Sequence, residues 1–169
     1  MGLPRRTADR CARLLNDLKG LVPPRVSAAV WKTIWNGWTT GRRFQRVGHQ
    51  CLLCCASQFG EDSIEHYARC AVTIQAGKDF VGLLDCHPSD RLGNFVTLGL
   101  NSNRVNDTIL VKRAVLVYAI YRTTNSLRHC PANNANVIKD MIHQFAREAV
   151  FGHAAAAKRL EEWPQGPDV

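Results

Sequence analysis

Between Cys51 and Cys70, in the stretch CLLCCASQFGEDSIEHYARC, the chain places four of its seven cysteines and one histidine. Thiols this close together pair with each other, pack as small apolar groups, or share a metal ion. An odd number of cysteines with uneven spacing, at positions 11, 51, 54, 55, 70, 86 and 130, makes a poor disulfide framework for a secreted domain. An intracellular, reducing setting is therefore expected, whether nucleus, cytoplasm or an organelle. Cys51 and Cys54 form a CxxC, a spacing that lets two thiolates turn onto one ion. His66 and Cys70, four residues apart, supply a second pair from one turn of a helix. Zinc suits mixed thiolate and imidazole ligands, and a site with four protein ligands keeps no open position for a catalytic water. The expected site therefore holds structure rather than doing chemistry. Cys55 can replace Cys54 as the second ligand, and spacing alone leaves both open.

The same residues have plainer readings. Buried cysteines and a helix histidine can simply pack. Cys86–His87 and His129–Cys130 are expected to be ordinary packed or surface residues, because neighbours in a strand or helix point apart. A redox role for CLLCC would want a βαβ context, which the surrounding pattern lacks. A hydrolytic zinc enzyme would need an absent ligand and a base, for which Glu65 beside His66 is the only hint. The expectation is no enzyme.

Charge is informative once it is located. The chain carries a formal charge of +8. Residues 1–50 hold ten Lys or Arg against two Asp, so that segment accounts for the whole excess. A phosphate-facing surface needs such an asymmetry, and a solvated basic face or a dock for an acidic protein would show it too. Lys32, Arg42, Arg43 and Arg46 are the candidate phosphate contacts. Trp31, Trp35 and Trp38 fall at i, i+4 and i+7. On an apolar helix stripe such residues form core and would back the cysteine cluster, whereas exposed they would offer a stacking or docking surface. No apolar run approaches the roughly 20 residues that cross a bilayer, and the charged N-terminus is unlike a signal peptide. No membrane partner is expected.

Helical spacing predicts a first helix from Thr7, as N-cap, to Gly20, and a second opening at Pro24 and carrying the tryptophans on one stripe. Asp62 and Glu65 have the spacing of a capping box, so a helix beginning at or next to Ser63 should carry both His66 and Cys70 and end before Gly77. Residues 78–106 read as short helical turns joined by loops. Asp107–His129 reads as a long buried helix stopped by Pro131, with strand the alternative for its β-branched portion. A last amphipathic helix should turn Val137, Met141, Ile142, Phe145 and Val150 inward and run on through AAAAKRLEEW. The expected fold class is mostly α, a helical domain with a small zinc-stabilised knuckle made of a short hairpin or loop plus a helix. Its organisation is a basic helical segment over 1–48, a zinc-binding module over 49–76, and a helical region over 77–169 that packs with the rest as one domain.

WNGWTTGRRFQ, then CxxC, then EDSIEHYARC resembles the zinc-binding region that follows the polymerase domain in reverse transcriptases of non-LTR retrotransposons. That region has a tryptophan-containing helix, a CxxC, an acidic-Ser turn and a helix of the type (E/D)SxxHxxxxC. The resemblance spans about residues 30–76 and puts Cys51, Cys54, His66 and Cys70 in the ligand roles, with Ser63 and Glu65 in the turn before the histidine. YAIYRTTNSLRH is loosely similar to a later basic helix of the family, with tyrosines where tryptophans are usual. The His66–Cys70 interval is one residue shorter than is usual there and the interval from Cys54 is longer. Neither a polymerase nor a nuclease motif occurs. The resemblance implies a non-catalytic, zinc-binding module that handles RNA or DNA, or a copy recruited as an assembly subunit of a larger protein or ribonucleoprotein complex.

Overall fold

The computed structural model of the chain describes residues 5–45, 50–53, 60–78, 84, 86–100, 105–132 and 134–161. Among them lie the helices α1 (Arg5–Leu21), α2 (Pro24–Ile34), α3 (Ile64–Tyr67), α4 (Ala71–Lys78), α5 (Arg91–Thr97), α6 (Asp107–His129), α7 (Ala135–Ala149) and α8 (Ala154–Glu161). The extended pairing among the described residues is an isolated antiparallel bridge between Gln50 and Glu61. The chain is mostly α, as its apolar spacing predicts.

α6 is the axis. Leu110, Val111 and every residue from Ala114 to Ile120 are buried, together with Lys112, so this helix is apolar on nearly all sides and must be enclosed. α7 and α2 cover it most extensively, with α8 and α1 completing the wall. Packing thus overrides the strand propensity of its β-branched residues. The Asn106 side chain caps it by accepting the Ile109 N–H at 2.9 Å, Asp107 lies in the first turn, and Arg128 and His129 lie in the last, as the helix dipole favours.

Four expectations about element boundaries change. α1 starts at Arg5, so Thr7 lies inside it rather than capping it. α2 stops at Ile34, with Trp35 as C-cap and Asn36 in the left-handed region at φ 49. The tryptophans therefore do not share a stripe: Trp31 is half-buried, Trp35 is 77% exposed, and Trp38, past the helix end, is 1% exposed. The single helix expected after Ser63 is two, α3 and α4, with Cys70 in the joint between them. The helix end expected before Gly77 moves to Lys78, and α4 packs on α7. The last helix is also two. Gly152 at φ 78 ends α7, and the His153 ring accepts the Ala156 N–H at 3.2 Å to begin α8. Arg25 of α2 closes the end of α7, donating to the carbonyls of Ala149 (3.1 Å), Glu148 (3.0 Å) and Phe151 (2.9 Å). The inward face of α7 is Ile138, Ile142, Ala146 and Ala149, with Met141 and Phe145 half-buried and Val137 exposed.

Candidate metal centre

Cys51 comes before Gly60 in the sequence and His66 and Cys70 come after it, and local hydrogen bonds bring the two sides together. The Gln50–Glu61 bridge aligns the strands of chain, and the Cys51 N–H donates to the Gly60 carbonyl. The Leu53 N–H points at Cys51 Sγ, 3.4 Å away, an amide donor aimed at the sulfur. On the other side Ser63 caps α3, its hydroxyl accepting the His66 N–H at 3.1 Å. After Tyr67 the chain tightens: the Arg69 N–H reaches the His66 carbonyl at 2.8 Å and the Cys70 N–H the Tyr67 carbonyl at 3.4 Å. These are i to i+3 bonds, so a turn and not a shared helix face carries Cys70 inward.

One ligand atom from each of Cys51, His66 and Cys70 lies within 4.8 Å of the other two. Both cysteines are buried and the histidine is half-buried. Two sulfurs and an imidazole nitrogen are a donor set that zinc accepts. Position 60 fits the same purpose. A Cβ there would stand 2.9 Å from Cys51 Cβ and overlap the His66 ring, so only glycine lets the imidazole close against the Cys51 side. No spacing in the sequence marks Gly60 for this close approach. Cys54, the expected fourth ligand, and its neighbour Cys55 lie outside the described residues. Cys86 accepts from Asn94 Nδ2 at 3.2 Å and His87 Nδ1 pairs with Ser89 Oγ at 2.8 Å, and neither joins a metal-capable group among the described residues.

Behind the ligands is a polar node that no local pattern announces. Asp62 is fully buried. Its carboxylate takes a two-pronged contact from Arg128 of α6 (2.7 and 3.1 Å), the Gly41 N–H (2.8 Å) and the Tyr67 hydroxyl. Burial alone would raise the Asp62 pKa, but the bonds from Arg128, Tyr67 and Gly41 prevail and hold it below the ordinary carboxylate value. Burial and the neighbouring carboxylate push Tyr67 up, so it remains a hydroxyl donor. Burial would lower Arg128, and its bond to Asp62 raises it instead. Trp38 closes the far side, its indole N–H on Thr33 Oγ1 at 2.9 Å and its ring against Tyr121 (5.3 Å), Tyr67 (5.9 Å) and Phe95 (6.0 Å). The expected aromatic backing of the knuckle is therefore Trp38 alone among the three tryptophans.

The candidate phosphate contacts divide. Lys32 Nζ donates to the Tyr121 hydroxyl at 3.0 Å and sits 5.1 Å from that ring's centre. Arg42 faces Glu61 at 3.5 Å and Glu65 at 3.7 Å. Glu65, the one hint of a hydrolytic base, is thus engaged by a cation. Arg43 is exposed, its guanidinium 5.7 Å from the centre of the Phe44 ring. Arg46 lies outside the described residues. Among the described residues no helix is long and apolar enough to cross a membrane. No protein-family model, curated protein or solved structure matches the chain.

Proposed function

We propose that this protein is a non-catalytic module in which one structural zinc ion, held by Cys51, Cys54, His66 and Cys70, braces a basic surface that binds nucleic acid through Lys32, Arg42, Arg43 and Arg46. The observation that carries the reading is the convergence of Cys51, His66 and Cys70 on one buried point beside a glycine that makes room for the imidazole. Two supports come from the sequence: the whole positive excess lies just before the knuckle, and the ligand pattern resembles that of the retroelement reverse-transcriptase zinc region. The test pairs metal analysis of purified protein with gel-shift binding to RNA and DNA at two salt concentrations. One zinc per chain is expected, with affinity that falls as salt rises because phosphate binding is driven by counterion release. The triple variant Arg42→Ala, Arg43→Ala, Arg46→Ala should lose most binding and keep its zinc. Unchanged binding in that variant would overturn the nucleic-acid assignment, and absence of stoichiometric metal would overturn the zinc assignment.

A second reading, a zinc-stabilised assembly subunit, has one observation in its favour: Lys32 and Arg42 already have partners within the chain. Protein that carries zinc and binds no polynucleotide would select it.

A further inference from the structure

The turn Gly41–Gln45 is fastened to the metal centre mainly through its backbone. The Gly41 N–H donates to the Asp62 carboxylate at 2.8 Å and the Arg42 N–H to the Asp62 carbonyl at 3.2 Å. The Arg42 side chain reaches Glu61 and Glu65 on either side of that aspartate. Within the turn, Thr40 accepts the Arg43 N–H with its hydroxyl and the Phe44 N–H with its carbonyl, each at 3.3 Å. This bracing leaves the two middle side chains in solvent. Phe44 is 54% exposed with the Arg43 guanidinium over its ring. A second aromatic stands out at the end of α2, where Trp35 is 77% exposed although Trp38, three residues on, is buried. Each exposed ring precedes a non-glycine residue in the left-handed region, Asn36 at φ 49 and Gln45 at φ 52.

Exposed aromatic faces, one of them with a cation beside it, suit a particular ligand. Unpaired bases offer flat π surfaces to stack on and phosphates to pair with, whereas a duplex keeps its base faces inside the stack. A protein dock would want a continuous apolar patch. Here the exposed rings are separated in sequence by Asn36, Thr39, Arg42 and Arg43, and the segment that holds them carries the whole net charge of the chain.

We infer that Phe44 and Trp35 are stacking platforms for the bases of single-stranded nucleic acid, with Arg43 on the phosphate, and that Asp62 with its neighbours serves to hold the 41–45 turn, and Phe44 with it, in place. The inference rests on the nucleic-acid reading above and narrows it to unpaired strands. The experiment uses the zinc-loaded full chain with a fluorescent 15-nucleotide oligo(dT) or oligo(U) and a 15-base-pair duplex of mixed sequence. Binding should favour the single strands. Trp35→Ala and Phe44→Ala should each weaken single-strand affinity about 5- to 150-fold while leaving duplex affinity within about twofold. Arg43→Ala should weaken both and reduce the salt slope by about one. The quenching of tryptophan fluorescence by oligo(dT) should disappear in Trp35→Ala. All three side chains are exposed, and retained zinc confirms that each variant is folded. Single-strand affinity unchanged in both aromatic variants would overturn this inference, reassign the rings to a protein contact, and leave the nucleic-acid reading standing. No binding of any polynucleotide by the unaltered protein would overturn both.

Discussion

Around α6 the fold is held mainly by apolar side chains, while between Gly41 and Cys70 it is held by particular polar atoms. Along α6 the backbone bonds are internal to the helix and the stabilisation comes from apolar area removed from water. The knuckle has a four-residue helix, an isolated bridge, one buried carboxylate serving three partners, and two sulfurs converging with a ring nitrogen. The first region depends on area and tolerates small displacements. The second depends on direction and charge, so a cation or a proton can make or unmake it. The two share one continuous core, since Leu53, Ile64, Tyr67 and Cys70 pack into the same cluster as α6.

Metal removal should give the largest separation between the regions. Structural zinc in finger peptides contributes about 10–16 kcal/mol at neutral pH, which is on the scale of a whole domain's net stability. Exhaustive chelation should therefore free the amides of Cys51, Leu53 and His66 to exchange with deuterium by orders of magnitude faster, while the amides of Val115 to Ile120 stay protected. Hydrogen exchange read by mass spectrometry measures this directly. Equal loss of protection in both regions would break the contrast, and no loss in either would remove the metal from the argument.

Asp62→Asn should come next. Removing one partner of a buried ion pair costs about 3–5 kcal/mol, here because Arg128 is left facing a neutral amide. The folded-state pKa of Asp62 lies below its unfolded value, so its contribution is complete above the unfolded carboxylate range, about pH 4, and is lost as pH falls through the folded value. Urea denaturation from pH 7 down to pH 2 should show an acid loss of stability that is smaller in Asp62→Asn than in the unaltered chain. An identical pH dependence in the two proteins would show that the node does not carry the acid sensitivity.

What could be read from the sequence follows the same division. The span of α6 was legible from apolar spacing and a Pro stop, both local signals, while its β-branched part left a strand open until packing decided it. The convergence of Cys51, His66 and Cys70 into a group that could hold a metal was legible for a related reason: their spacing is written into a short stretch. The break after Tyr67 was not legible. Spacing of four made His66 and Cys70 look like one helical face, and nothing nearby shows that Tyr67 must reach Asp62, or that Asp62 is claimed by an arginine 66 positions away. The tryptophan stripe failed similarly. Its i, i+4, i+7 spacing is apolar whether or not the helix continues, and α2 ends before Trp35 so that Trp38 can swing under the knuckle. Local patterns report local bonds, and the Asp62 node behind the candidate ligands is built from distant ones.

The smallest expected effect is also the most pointed test of the contrast. Ser63 caps α3, a helix of only four residues, by taking the amide proton of His66. Losing an N-cap costs about 1 kcal/mol, a change that a large apolar core would absorb without altering any site. Here the capped amide belongs to the candidate ligand His66. Ser63→Ala should therefore loosen the first turn of α3 and with it the direction of the imidazole, which lowers zinc affinity by about fivefold if the whole loss is felt at the site. Competition with a colorimetric chelator gives the affinity, and urea denaturation of the zinc-loaded protein gives the stability. A stability loss accompanied by unchanged zinc affinity would mean that the ligands are positioned by the shared core rather than by the knuckle's own hydrogen bonds, and the two regions would then differ in composition but not in what holds them.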